Sequence, residues 1–182
     1  NILTNFNSVN LGYGGNIKKC MQYAYKNKFD YAAMVHGDNQ YSPKYLSTMI
    51  DLLIKSNCAA ISGSRMFKKN LALKGGMPFY KFIGNILLTK YFNFLHNTSF
   101  TDCHTGYWIY NLKKIKQKWI EELDNGFLFD LDLRLKLTQK KLPIKEVPIL
   151  TRYGTERSSI HIAYATRFFI RIFVDKILSF FK

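Results

Sequence analysis

The residues with most capacity for chemistry sit in one short segment, His36-Gly37-Asp38-Asn39-Gln40-Tyr41-Ser42-Pro43, directly after a run of apolar residues. Asp38 and Gln40 lie two positions apart and both offer oxygen, the donor that hard divalent cations prefer, and His36 adds an imidazole nitrogen. A cation held there neutralises a diphosphate and stabilises it as a leaving group. A plainer reading is also open: Asp38 caps the turn before Pro43, and His36 is a buried hydrogen-bonding side chain. Two further segments carry candidates. Arg65 in Gly63-Ser64-Arg65 can make paired hydrogen bonds to a phosphate. Asp102 in Thr101-Asp102-Cys103-His104-Thr105-Gly106 is a candidate base or substrate-orienting carboxylate. Each alone is ordinary, since arginines after strands are usually solvated and Asp-x-x-Thr is a common cap. Their order along the chain says more.

These loops need a scaffold that brings them to one edge. Ile17, Cys20, Met21 and Ala24 recur at helical spacing and predict a helix over 16–26, entered by the glycine turn Leu11-Gly12-Tyr13-Gly14-Gly15. Residues 31–35 and 58–62 are short apolar runs that read as buried strands. Ser42-Pro43 gives an N-cap and a Pro at the first helical position, opening a helix with Leu46, Met49, Ile50 and Leu53 on one face. Residues 80–95 predict a helix with Lys81, Asn85, Thr89 and Asn93 on one polar stripe. Residues 106–110 read as a strand, 127–141 as a helix, and 144–150, with Pro148 inside, as an edge strand. This alternation predicts an α/β fold: a mostly parallel sheet flanked by helices, with ligands bound at the carboxyl edge of the strands.

The chain has 182 residues, roughly one domain at about 150 residues each. We assign residues 1–160 to that domain and 161–182 to an amphipathic basic helix. In the latter, Arg167, Arg171, Asp175, Ser179 and Lys182 share one sector, with Phe169, Ile170, Phe173, Ile177, Phe180 and Phe181 opposite. Such a helix suits a membrane interface, or packing on the sheet. Lys plus Arg minus Asp plus Glu is 27 − 12 = +15, which implies an anionic partner: nucleic acid, anionic lipid or a phosphorylated small molecule. The cations form no dense stripe and no nucleic-acid motif is present, so nucleic acid is not the expected partner. Three cysteines without a CxxC spacing exclude a secreted disulfide scaffold, and Cys103-His104 has no second ligand pair for zinc. Gly12-Tyr13-Gly14-Gly15 is no dinucleotide fingerprint, because Ile17 stands where the third glycine belongs. There is no leader-like apolar start and no uninterrupted apolar stretch of about 20 residues.

Taken in order, the motifs resemble family-2 glycosyltransferases of the GT-A type, particularly the dolichol- and polyprenol-phosphate sugar synthases. The matching residues are Asn10-x-Gly12, the block 36–43, Gly63-Ser64-Arg65, Thr101-Asp102-Cys103-His104-Thr105-Gly106-Tyr107 and Phe129-Asp130-Leu131-Asp132-Leu133. Glu146-Val147-Pro148 and Tyr153-Gly154-Thr155-Glu156-Arg157-Ser158 follow. The resemblance implies inverting transfer of a sugar from a nucleotide-diphosphate donor, with Mg²⁺ or Mn²⁺ on the diphosphate held by Asp38, Gln40 and His36. It implies Asp102 near the acceptor as the catalytic carboxylate, and Arg65, Asn10, Arg152 and Arg157 as substrate-binding residues. A phosphorylated lipid, polyprenol phosphate, or a glycan is the implied acceptor, with the protein peripheral to the cytoplasmic face of a membrane. An inactive membrane scaffold and a basic nucleic-acid-binding module are the alternatives. Three positions depart from the family pattern. His36 stands where an Asp often sits, Trp108 where Arg is common, and the family's first strand-helix unit has no counterpart before Asn1, which reads as a missing unit.

Overall fold

The computed structural model describes residues 3–4, 6–153 and 162–181. In chain order it contains α1 (Gly12–Lys26), β1 (Tyr31–Met34), a 3₁₀ turn (Pro43–Tyr45), α2 (Leu46–Ser56), β2 (Ala60–Ser64), α3 (Lys69–Lys74) and α4 (Phe79–His96). Then follow β3 (Trp108–Asn111), α5 (Gln117–Glu121), α6 (Phe129–Gln139), β4 (Ile144–Pro148) and α7 (Ile162–Ser179). It is an α/β fold of GT-A-like character, with one four-stranded sheet flanked by helices.

The sheet order is β1-β3-β2-β4. β2 and β4 pair in parallel, whereas β3 pairs antiparallel with both β1 and β2. Three strands therefore point one way, and β3 is inserted between two of them in reverse. β2 and β3 are buried at every position, because a strand lies on each side and helices cover both faces. Met49, Leu53 and Ile61 fill one face; Ile17, Met21, Trp108 and Leu133 fill the other. β4 is at an edge, as Pro148 requires. β1 is not the buried strand its apolar run suggests. Among the described residues it is also an edge, and its exposure alternates.

One local departure from the sequence reading has a steric cause. The glycines at 12–15 do not form a turn before α1 but lie inside it. A Cβ on Gly14 would sit 2.3 Å from the Asp124 carbonyl oxygen, so the helix can dock on the loop before α6 only without a side chain there. The short helices α3 and α5 lack the length for a legible period.

α4 and α7 each turn a polar side inward, an orientation their amphipathic pattern left open. On α4 the polar stripe faces inward: Asn85 and Thr89 are buried, while Tyr80, Ile83, Leu87 and Phe94 are exposed. α7 does the same with its charges. Arg171 makes a bidentate pair with Asp132 of α6 (2.7 and 2.9 Å), and Asp175 accepts a 2.6 Å hydrogen bond from Gln139. Among the described residues of α7, Phe168 and Ile172 enter the core, beside Phe92, Leu131 and Leu135, and Tyr164 packs against it. Phe169, Ile170, Phe173, Val174 and Ile177 remain exposed, and Tyr91 of α4 stacks on Phe169 at 4.2 Å.

Candidate functional site

A cleft of about 1380 Å³ opens at the carboxyl ends of β1 and β2. The chain leaving β1 brings His36 and Asp38 to it, and the residue after β2 is Arg65. The 101–107 loop reaches the same edge because β3 is antiparallel and this loop precedes it; a β3 running parallel to β1 and β2 would have put it at the other end. The first turn of α1 supplies Tyr13, the first turn of α6 supplies Asp130, α4 supplies Lys81 and Asn85, and α7 closes one wall with Ala165 and Phe168.

Asp102 has no exposed surface. Its Oδ2 accepts from Arg65 Nε at 2.7 Å and from the Arg65 backbone N–H. Its Oδ1 accepts from Arg65 Nη2 (2.9 Å), Asn85 Nδ2 (2.9 Å) and the His104 backbone N–H (3.0 Å). Burial alone would raise its pKa, but the Arg65 charge and these donors outweigh it and hold the carboxyl well below the usual range. With its lone pairs engaged and its proton affinity low, Asp102 has the geometry of an anchor and not of a proton acceptor. Arg65 is correspondingly committed. Beyond Asp102, its Nη2 donates to the His104 carbonyl (2.8 Å) and its Nη1 to the Tyr153 hydroxyl (3.1 Å). One N–H of its five is left for a phosphate, so the bidentate grip expected of Arg65 is made on Asp102. The cleft cation without a partner among the described residues is Lys81, which sequence reasoning did not single out.

Asp130 was the more consequential omission. Its Oδ2 accepts a 2.7 Å hydrogen bond from the Tyr13 hydroxyl, and its Oδ1 is buried without a partner. Burial pushes its pKa up to about 7, against the opposing pull of Tyr13's hydrogen bond and Arg134's charge. The signal available in sequence was an acidic residue inside Phe129-Asp130-Leu131-Asp132-Leu133, a stretch too apolar to be a solvated face.

His36 and Asp38 come together, with Nδ1 3.8 Å from Asp38 Oδ2. The Tyr13 hydroxyl lies 3.3 Å from His36 Nε2. Since Tyr13's one proton goes to Asp130, that contact is a hydrogen bond when Nε2 carries the proton, which leaves the Nδ1 lone pair facing Asp38. Burial lowers the His36 pKa, with Asp38 opposing, and so favours the neutral, ligating form. Gly106 permits the arrangement: a Cβ there would lie 2.7 Å from His36 Cε1. Asp38 Oδ1 also accepts from the Gln40 backbone N–H at 3.0 Å, so the turn-capping reading holds as well. Among the described residues no group of three or more His, Cys, Asp or Glu could cage an ion. One carboxylate and one imidazole at a cleft mouth nevertheless fit Mg²⁺ or Mn²⁺ whose other ligands are phosphate oxygens.

Asn10 lines the cleft and its Oδ1 caps α1 by accepting from Gly12 N–H at 2.8 Å. Arg152 does not line the main cleft. It borders a small adjoining hollow with Gln40 and Lys44, and its backbone N–H bonds to the Gln40 carbonyl. Arg157 lies outside the described residues. Trp108 faces the interior and not the cleft, with its indole donating to the Thr105 carbonyl at 2.9 Å.

The model of the glycosyl transferase family 2 matches residues 5–119, more than half of the chain. The chain belongs to that family. This family-2 glycosyltransferase is also similar to the low-salt glycan biosynthesis hexosyltransferase Agl6 of Haloferax volcanii, with 29% identity over 136 residues. The match covers 70% of this chain and 31% of Agl6, so the chain spans about a third of the length of that curated relative. Asp38, Arg65 and Asp102 lie within the family match, whereas Asp130 and α7 lie beyond it. Among the described residues no helix is long and apolar enough to cross a membrane.

Proposed function

We propose that this chain carries the catalytic part of a hexosyltransferase that moves a sugar from a nucleoside-diphosphate donor to a polyprenyl phosphate, with inversion, at a membrane surface. The observation that carries the reading is the convergence, in one cleft, of His36 and Asp38 at one place with Asp130, Tyr13 and Lys81 beside them. Asp38, Gln40 and His36 would hold Mg²⁺ or Mn²⁺, which when bound supplies positive charge to the departing diphosphate. Lys81 takes the acceptor's phosphate. An acceptor oxygen attacks the anomeric carbon from the face opposite the diphosphate. The new C–O bond forms as the bond to the β-phosphate oxygen breaks, and the nucleoside diphosphate departs. Asp130 accepts whatever proton the nucleophile still carries, which a group titrating near neutrality can do. In this scheme Asp102 and Arg65 position the cleft loops and neither accepts the proton.

The membrane side of the proposal rests on the two inverted helices. α4 and α7 turn their polar stripes to their own domain and leave Tyr80, Ile83, Leu87, Phe169 and Phe173 outward, while Phe168 of the same helix lines the cleft. A surface of that kind, on a chain of net charge +15, suits an anionic lipid interface. An acceptor with its head in the cleft and its tail in lipid fits both features.

Calorimetric titration of UDP- and GDP-hexoses, with and without Mn²⁺, into the whole protein tests the donor half. Transfer to polyprenyl phosphate, compared with the unphosphorylated polyprenol, tests the acceptor half. Manganese-dependent donor binding followed by transfer to the phosphate alone is the expected result. Transfer to the alcohol, or to a soluble glycan with lipid phosphate inert, would overturn the acceptor assignment.

A further inference from the structure

Arg134 lies one turn beyond Asp130 on α6 and has no exposed surface. Its guanidinium carbon is 4.4 Å from the centroid of the Phe100 ring and 4.6 Å from that of Trp108, so aromatic faces flank the cation. Its Nη2 donates to Ser62 Oγ (3.2 Å) and to the main-chain carbonyl of Asp102 (3.1 Å). Its Nε and Nη1 are buried without hydrogen-bond partners, as are the Tyr110 hydroxyl and Asp130 Oδ1. Packing does not ask for a charge here. The same helix buries Leu131, Leu133, Leu135 and Leu137, and a well-packed apolar side chain is commonly as stable as a buried ion.

What the charge does touch is the site. Glu146 holds the 101–102 main chain by accepting from the Thr101 N–H (2.7 Å), the Thr101 hydroxyl (2.8 Å) and the Asp102 N–H (3.1 Å). Arg134 takes the carbonyl of the same residue. Asp102 is thereby gripped at both ends of its backbone from beneath, while its carboxylate grips Arg65 above. The groups facing Asp130 are Tyr13 from α1, Tyr110 from β3 and Arg134 from its own helix, with His36 beyond the Tyr13 hydroxyl. Of these only Arg134 is a permanent cation, and its charge opposes the effect of burial on Asp130. Asp132 is turned away, to Arg171.

We propose that Arg134 is a positioning residue for the transfer: from behind the cleft it fixes the main chain that carries Asp102 and supplies the standing positive charge against which Asp130 takes and releases its proton. The proposal rests on reading Asp130 as the proton acceptor, and its test does not depend on turnover. pH-difference infrared spectroscopy on the whole protein follows the carbonyl band of protonated Asp130, assigned by its loss in D130N. R134Q and R134M remove the charge; R134K keeps it but not the planar fork. Circular dichroism identifies which variants fold, and the apolar R134M gives a second route if R134Q does not. The charge-removing variants are expected to move the midpoint upward by at least about one pH unit, a tenfold change in proton affinity. R134K is expected to restore it to within a few tenths. A folded charge-removing variant with an unmoved midpoint, or an R134K midpoint displaced as far as theirs, would overturn the proposal. Full transfer activity in D130N would instead overturn the base assignment, and leaves the infrared result standing on its own.

Discussion

The Tyr13 hydroxyl and Asp130 Oδ2 meet at 2.7 Å across a sequence separation of 117 residues, joining the first turn of α1 to the first turn of α6. Tyr13 also stacks on Phe127, whose ring meets Tyr164 of α7 edge-on. The group read as the proton acceptor is thus held by a helix that also touches the candidate cation site. Asp130→Asn removes the acceptor and little else. A fall in kcat of about 10²- to 10⁴-fold is expected, with donor affinity from calorimetry unchanged.

Activity and stability should respond to pH in opposite directions. With a folded pKa of about 7, Asp130 becomes a competent base only as pH rises through neutrality, so kcat/KM climbs there. Its unfolded pKa is about 3.9. Between those values the folded state binds more protons than the unfolded, and stability falls as pH rises from about 4 to about 7, by at most about 1.4 kcal/mol per unit from this group. Denaturant unfolding at several pH values should show D130N gaining on the wild type across that window and no further above it.

Asp102 predicts the reverse limb. Its folded pKa is depressed, so its stabilising effect is present above about pH 4 and is lost as pH falls towards the folded value. Asp102→Asn leaves the Arg65 guanidinium buried without its counter-charge. A loss of about 3–5 kcal/mol is expected near neutral pH, shrinking below about pH 4, where the unfolded wild type binds a proton that the folded carboxylate does not. Thermal unfolding at pH 7 and pH 3 measures both.

Asp38→Ala should abolish manganese-dependent donor binding while the circular dichroism spectrum and melting temperature hold, because Asp38 is partly exposed and its one structural bond is to a neighbouring backbone N–H. Metal-dependent binding that survives in the variant would remove Asp38 from the site.

Phe169 and Phe173 are about half exposed on the outward face of α7. Replacing both with Ser should reduce co-sedimentation with anionic vesicles severalfold and leave the melting temperature within a few degrees, as surface changes usually do. Unchanged vesicle binding would separate this face from any membrane role.

The sequence made the alternation of helix and strand legible, and with it the loops at 36–43, 63–65 and 101–106, because periodicity and turn residues are local signals. The direction of β3 was not legible. Whether a strand runs with or against its neighbours depends on pairings between residues 108–111 and both 31–34 and 60–62, and no local feature encodes them. For the same reason Asp102 and Arg65 looked like separate active groups until they were found paired with each other. Which face α4 and α7 turn inward was left open by the sequence for a different reason. Amphipathicity gives a polar and an apolar side, but Asn85, Thr89 and Arg171 have buried partners in Asp102, Cys103 and Asp132, and those partners reverse the usual orientation.

β1 and β2 do not pair, since β3 lies between them, and β3 is made after both. A nascent chain that stops short of residue 108 therefore carries two strands with open edges, including Ala60–Ser64, every residue of which is buried in the finished fold. Such contacts are non-local and slow to form, and unpaired edges invite association with other chains. The edge of the sheet that bears the chemistry is closed late on the ribosome, by a strand that arrives after the two it joins.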